Sequence, residues 1–192
     1  VARVSAQKEM SNKGDLQKEE PFPIQYYVMS VLSGIGMTAF LNVDILMAKY
    51  YLGAEQAGLY GILSFAGKMI FFAGTLLNFP LSNLVANLEA GDRKARRQIQ
   101  LLFVAISGAV FSAWAVFGLL GKFTIPFIFG PKAVALLEFF STYGLATALF
   151  TLASTMIGYH IARRRYWFWV IPFISIATSM VLIIFRHDGI AH

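Results

Sequence analysis

The sequence contains no cysteine, and charged residues make up only 14% of it. The first absence excludes disulfide bonds and thiolate metal sites. The second separates this chain from ordinary soluble domains, in which about a quarter of the residues are charged. Apolar residues fill 57% of the 192 positions instead. This composition predicts an integral membrane protein.

Polar stretches are short, and the apolar residues fall into five runs. We predict membrane-spanning helices over residues 24–52, 57–88, 99–120, 133–162 and 167–185. Each run is close to or above the roughly 20 residues that cross a bilayer. Residues 1–23 are predicted to form a polar cytoplasmic arm or linker, and residues 186–192 a polar tail. The predicted fold is all-α, a polytopic membrane bundle of five transmembrane helices.

Signatures of enzymes and nucleic-acid-binding proteins are absent from the sequence. Ser, His and Asp residues are scattered without an arrangement that builds a nucleophile, and no glycine-rich loop follows a strand. His160 has no carboxylate or second histidine at helical spacing, so we predict no metal site and no cofactor. The net charge of +6 comes from clusters between apolar runs, with no polar domain to present them to nucleic acid. We predict that the protein is not an enzyme.

The basic clusters predict the orientation in the membrane, because Lys and Arg accumulate in cytoplasmic loops. A cytoplasmic N-terminus puts four basic residues of the arm, four at 93–97 and three at 163–165 on the inside. Only Lys49, Lys122, Lys132 and Arg186 remain outside. We therefore predict a multi-pass protein of the cell (inner) membrane. Anionic lipid head groups are an alternative role for one of the inside clusters, which consists of Arg93, Lys94, Arg96 and Arg97.

Two ionisable residues lie inside apolar runs, where such residues are rare and are functional candidates. Asp44 is in the first run and Lys68 in the second. On a helical wheel Asp44 shares an arc with small residues, and Lys68 shares one with Gly61, Ser64 and Thr75. We expect Ile70 and the other large apolar residues of the second run on its other sides. Pro80 is predicted to kink or interrupt this helix.

Simpler interpretations of these residues stay open. Asp44 is near the end of its helix and is able to reach interfacial water, and Lys68 can form a structural ion pair with it. The small residues on both helices fit close helix packing as well as a pathway. Glu138, near the start of the fourth run, is expected to extend to the interface.

A series of short motifs resembles a family of transporters. The residues in order are Asn42-Val43-Asp44, Lys49-Tyr50-Tyr51-Leu52, Ala57-Gly58-Leu59-Tyr60, Lys68, Pro80, Phe129-Gly130-Pro131 and Ala162-Arg163. Their order and spacing over about residues 24–185 resemble the second lobe of the multidrug/oligosaccharidyl-lipid/polysaccharide exporter superfamily. The resemblance is to its Wzx-like polysaccharide biosynthesis flippases. It implies a MATE-like fold of two lobes, of which this chain supplies part of one.

The resemblance implies a function and a set of partners. The expected activity is movement of lipid-linked oligosaccharide or polysaccharide precursors across the membrane, coupled to a proton or a sodium ion. Since Val1 is not a methionine and only one lobe is present, we expect a longer protein or assembly with another copy. Alternatives are a drug or cation antiporter fragment of the same superfamily, or a non-transporting membrane subunit or remnant.

The candidate pathway residues follow from the wheel and the resemblance together. We predict that a lumen is lined by Asp44, Lys68, Asn42, Ser64, Thr75 and Asn78. Hydrogen bonds and the Lys68 ammonium would stabilise the anionic head of the substrate, which does not cross hydrocarbon unaided. In the absence of substrate, Asp44 is expected to pair with Lys68. If the substrate head replaced Asp44 as the partner of Lys68, the exchange would bias a two-state rocking motion of the transporter.

Overall fold

A computed structural model describes residues 24–86 and 93–185. The α-helices are α1 (Ile24–Tyr51), α2 (Ala54–Thr75), α3 (Asn78–Ala86), α4 (Arg93–Trp114), α5 (Gly121–Phe129), α6 (Leu137–Ala162) and α7 (Val170–Phe185). A π-helical turn (Ala115–Leu119) and two 3₁₀ turns (Pro131–Leu136, Tyr166–Trp169) link them. No strand occurs in the described residues, which confirms the all-α prediction. The predicted arm (1–23), residues 87–92 and the predicted tail lie outside the described ranges.

Five segments of the described chain are long and apolar enough to cross a membrane. They are Ile24–Tyr51, Ala54–Val85, Arg93–Leu119, Pro131–Ala162 and Tyr166–Phe185. Each overlaps one predicted run, so the prediction of five membrane-length helices is confirmed. Large apolar side chains such as Leu46, Phe72 and Leu182 are exposed on their outer faces, which suits contact with lipid. These are the properties of a multi-pass membrane protein.

Helix α6 is the centre of the bundle and packs against α1, α2, α3, α4 and α5. Its inward face carries Phe140 and Ala148, which are 2% and 0% exposed. Close approach of α2 depends on glycine: a Cβ on Gly74 would lie 2.6 Å from the Thr151 methyl and overlap Val110 of α4. Three helices therefore meet at a position with no room for a side chain.

Helices α1 and α7 form a second pair at the edge of the bundle. Gly36 of α1 lies against Pro172 and Phe173, and a Cβ on Gly36 would be 2.9 Å from the Pro172 Cβ. Most of the remaining surface of α7 is exposed, including Ile174 and Phe185. Small residues thus provide close packing here too, as expected where the hydrophobic effect between helices is weak.

The second predicted helix is interrupted, and the break lies just before the proline. Helix α2 ends at Thr75, a turn follows at Leu76 and Leu77, and α3 begins at Asn78. Pro80 lies in the first turn of α3, where a missing N–H costs little because the first N–H groups of a helix have no intrahelical partner. The predicted interruption is confirmed.

Two predicted boundaries are wrong. Helix α4 begins at Arg93 and not near residue 99, because Ala, Arg, Lys and Gln favour helix and because Ala95 and Ile99 pack inward one turn apart. The stretch between the third and fourth predicted runs contains the nine-residue helix α5. The Thr124 hydroxyl donates to the Val116 carbonyl, 2.8 Å away, and so satisfies a carbonyl just beyond the end of α4.

The end of α6 has an unusual residue in a common capping motif. The Arg165 N–H donates to the His160 carbonyl at 3.0 Å, and the Arg164 N–H donates to the Ile161 carbonyl at 2.9 Å. These two bonds form a Schellman motif, in which the residue with positive φ is usually glycine. Here it is Arg164, with φ of 60°. A residue with a Cβ is strained in this conformation.

Replacing Arg164 by glycine is expected to stabilise the protein by about 1 kcal/mol, because glycine adopts positive φ without that strain. The matched control is Arg163→Gly, which removes the same charge where φ is −82° and relieves nothing. Reversible unfolding in mixed detergent micelles, followed by circular dichroism, measures both. Equal effects of the two substitutions would contradict the strained conformation of Arg164.

Candidate functional site

Asp44 is the centre of a hydrogen-bonded cluster between three helices. One oxygen of its carboxylate accepts hydrogen bonds from the hydroxyls of Tyr143 in α6, at 2.6 Å, and Tyr60 in α2, at 3.1 Å. The other oxygen accepts from the backbone N–H of Ile45 at 2.7 Å. Short bonds to an ionised acceptor are the stronger kind. The cluster therefore fastens α1 to α2 and α6 while it holds the carboxylate in place.

A cavity of about 200 Å³ opens beside the carboxylate. Apart from Asp44, its polar lining groups are the two tyrosines, Thr147 and Ser179. The remaining lining is apolar and partly aromatic, and consists of Phe40, Leu41, Val43, Ala146 and Phe150. A carboxylate among aromatic rings is a suitable environment for a small cation, because charge attraction and cation–π contact act together.

Lys68 is near the middle of the Ala54–Val85 span and is partly buried. Its ammonium donates to Asn42 Oδ1 at 2.9 Å, and Asn42 Nδ2 donates in turn to the Thr38 carbonyl at 2.7 Å. The lysine is thus held by a neutral amide. A cation with only a neutral partner at this depth retains its capacity to bind an anion.

The predicted ion pair between Asp44 and Lys68 does not form in the structure. Helices α1 and α2 run antiparallel from a tight turn after Tyr51, and Tyr60 is level with Asp44. Lys68 is about 12 Å farther along α2 than Tyr60, at about 1.5 Å per residue. The lysine reaches Asn42 instead, on another side of α1. The two ionisable residues therefore belong to separate sites.

The remaining predicted pathway residues do not line one surface. Ser64 is fully buried on the packed side of α2, the Thr75 hydroxyl donates to the Phe72 carbonyl of its own helix, and Asn78 accepts a bond from Thr155 at 3.1 Å. Ile70, expected on a side of α2 away from Lys68, is 1% exposed in the core. The reason is that α2 contacts α1, α4 and α6 and so has more than one buried side. Among the predicted pathway residues, Asn42 is the hydrogen-bond partner of Lys68.

The four basic candidates lie together and away from the cluster. Arg93, Lys94, Arg96 and Arg97 are exposed in the first two turns of α4. Asp44 lies toward the other end of the bundle, near the turn that joins α1 to α2. Glu138 is exposed at the start of α6, and its extension to the membrane interface stays a prediction.

Sequence reasoning missed a polar ladder on α6. Tyr143, Thr147, Thr151 and Thr155 recur every four residues and so share one face. Each threonine hydroxyl donates to the carbonyl four residues earlier, at 2.7 to 3.0 Å. The ladder runs from the Asp44 cluster to Asn78. Its regular spacing was the available signal.

Comparison with known proteins does not place the chain in a family. No protein-family model, curated protein or solved structure matches it. The resemblance to the polysaccharide flippases stays a prediction.

Proposed function

We propose that this chain is part of a membrane transporter that moves lipid-linked oligosaccharide or polysaccharide precursors. The observation that carries the proposal is Lys68, a partly buried lysine near the middle of a membrane-length helix and bound to Asn42. None of the described acids, Asp44, Glu55 and Glu138, forms an ion pair with it. The anionic head of a lipid-linked sugar would supply the negatively charged partner that these acids do not give the lysine.

The site has a physical reason to bind such a head group in the membrane. A pyrophosphate loses its hydration when it enters hydrocarbon, at a cost of many kcal/mol unless protein groups replace the water. The Lys68 ammonium supplies a point charge, and the Asn42 amide supplies hydrogen bonds next to it. Because the amide is neutral, binding the anion requires no buried salt bridge to break.

The proposal includes the remaining parts of the transporter. One lobe does not enclose a pathway, so a first lobe or a second copy of the chain completes it. We place the protein in the cell (inner) membrane with the N-terminus in the cytoplasm, because basic residues group at one end of the bundle. A proton or sodium ion is the coupling ion.

The test of Lys68 is binding of a short-chain prenyl pyrophosphate in detergent, detected by native mass spectrometry. Lys68→Met is expected to weaken binding at least about tenfold, since an ammonium-to-phosphate contact of this kind contributes 1.5 kcal/mol or more. Lys68→Arg is the control and keeps most of the affinity. Equal binding by Lys68→Met and the unchanged protein would end the proposal for this residue.

Transport itself is measured in vesicles with a fluorescent lipid-linked saccharide, by protection from a membrane-impermeant quencher. The expected result is movement between leaflets that Lys68→Met slows about tenfold. Vesicles in which the saccharide stays in its original leaflet would favour a non-transporting membrane subunit.

The Asp44 cavity favours a second candidate, an antiporter of organic cations. Its carboxylate and aromatic lining select positive charge, whereas a pyrophosphate is repelled there. Uptake of a fluorescent organic cation against a sodium or proton gradient, lost in Asp44→Asn and retained in Lys68→Met, identifies this function. Saccharide movement in the vesicle assay that is lost in Lys68→Met and retained in Asp44→Asn identifies the flippase instead.

A further inference from the structure

The two basic clusters of the described chain lie at the same end of the bundle. Helices α4 and α6 run antiparallel, with Phe103 against Tyr159 at a ring-centroid distance of 6.3 Å. Toward the other end, the Trp114 indole N–H donates to the Ser141 carbonyl at 3.0 Å. The start of α4 and the end of α6 are consequently level with one another. We propose that this end binds the head groups of anionic phospholipids.

The surface that we call the basic end is strongly charged. It consists of Arg93, Lys94, Arg96, Arg97, Arg163, Arg164 and Arg165, all exposed. The acids of the described residues are elsewhere: Asp44, Glu55 and Glu138 lie toward the opposite end. Each arginine or lysine near a membrane surface attracts anionic lipid, and the attraction falls off within about 10 Å of the charge. Charges gathered at one level of the bundle act on the same head groups.

Two placements in the basic end do not serve the helices that carry them. Cations at the start of α4 oppose the helix dipole, which favours negative charge there. Arg164 occupies the positive-φ position of the α6 cap, where glycine would be unstrained. The cations at the end of α6 suit its dipole, but those at the start of α4 and the Cβ of Arg164 do not serve local stability, and a negatively charged partner outside the protein would explain them.

Aromatic side chains fix the depth of the basic end in the membrane. Trp167 lies two residues after the last of the three arginines and is 88% exposed. The Phe168 ring stacks on His160 of α6, with 4.1 Å between centroids and 9° between planes, and so holds the 3₁₀ turn against the bundle. Exposed tryptophan next to a membrane-spanning helix lies at the level of the head groups. The arginines two to four residues away are therefore at the level of the phosphates.

This placement identifies the occupant as a phospholipid of the surrounding membrane. The start of α4 and the end of α6 are ends of membrane-length segments, so in a bilayer they lie at the level of the lipid phosphates. The inference does not depend on the transport proposal, because the basic end is separate from both Lys68 and Asp44.

The experiment uses Trp167 as the reporter. The chain is reconstituted in phosphatidylcholine vesicles that contain either brominated phosphatidylglycerol or brominated phosphatidylcholine, and tryptophan quenching is measured. Subtracting the same measurement on Trp167→Phe isolates the quenching of Trp167, which lies at the basic end. We expect the anionic lipid to be preferred by well over about tenfold in the unchanged protein, because seven basic residues act on the same head groups. Equal quenching by the two lipids would overturn the proposal.

Matched variants connect the preference to the arginines. Changing Arg163, Arg164 and Arg165 together to glutamine is expected to lower the preference at least about tenfold. The control changes Lys49, Lys122 and Lys132, which are exposed at the opposite end, and leaves it unchanged. Arg164→Gly removes one charge from a protein that should fold more stably, and lowers the preference about fivefold. If the lysine control reduces the preference as much as the arginine variant, the proposal is wrong.

Discussion

Removing both hydroxyls that bind Asp44, by Tyr60→Phe and Tyr143→Phe together, is expected to destabilise the bundle by about 3 kcal/mol or more. The carboxylate would keep the backbone N–H of Ile45 as its described donor. A partly buried charge that loses its partners costs more than a neutral group does. Because its bond is shorter, 2.6 Å against 3.1 Å, Tyr143→Phe alone should cost more than Tyr60→Phe alone.

The rescue experiment separates lost hydrogen bonds from damaged packing. With both tyrosines changed to phenylalanine, Asp44→Leu should restore most of the stability, because neither a charge nor an unpaired hydroxyl then remains. Tyr159→Phe, in the same helix α6, is the control and should change the free energy of unfolding by less than about 0.5 kcal/mol. Unfolding by sodium dodecyl sulfate in mixed micelles measures all of these variants. A double phenylalanine variant as stable as the unchanged protein would contradict the cluster.

Under the proposed antiporter function, the cluster would be connected to transport through the cavity beside it. A cation that binds to Asp44 competes with two tyrosine hydroxyls for the same carboxylate. Binding would therefore loosen contacts that join α1 to α2 and α6. In a transporter this exchange can couple occupancy of the cavity to the relative positions of the helices.

The helices were predictable because their signal is local. Runs of apolar residues of bilayer length identify the five spans from composition alone. The ends were less predictable: arginines suggest a loop at 93–97, yet Ala95 and Ile99 pack inward and continue the helix. Helix α5 was missed because Gly121, Pro126 and Gly130 are the residues that usually end helices.

The candidate site was predictable only in part. Asp44 and Lys68 are conspicuous because charged residues are rare in apolar runs. A helical wheel gives the direction of a side chain around the helix axis, but it does not show which neighbouring helix that side chain meets. The hydrogen-bond partner Tyr143 is 99 residues from Asp44 in the sequence. A single sequence does not show which residues so far apart come into contact. The wheel also leaves out the axial offset that separates Lys68 from Asp44. The predicted pairing of the two residues is therefore wrong, while their roles in a pathway stay predictions.

The other large effect is expected at Gly74, where α2, α4 and α6 meet. Gly74→Val should destabilise the protein by about 3 kcal/mol or more, because overpacked cores cost 1–3 kcal/mol and sometimes more. The obstructing atoms are methyl groups of Val110 and Thr151, both fully buried. As β-branched residues of helices, they have few alternative rotamers and are unable to move aside. Accommodating the added side chain would therefore require one of the three helices to shift.

Gly108 of α4 provides the matched control for this prediction, because nothing lies within 4 Å of a Cβ added there. Gly108→Val should change the free energy of unfolding by less than about 0.5 kcal/mol. Both variants enter a membrane-length helix and add the same side chain, so the difference between them reports packing alone. If the two valines have the same effect, the α2, α4 and α6 helices do not meet at Gly74. A loss of stability confined to Gly74→Val would instead show that the three helices meet at this glycine. That junction positions Thr151, a member of the polar ladder that leads to Asp44.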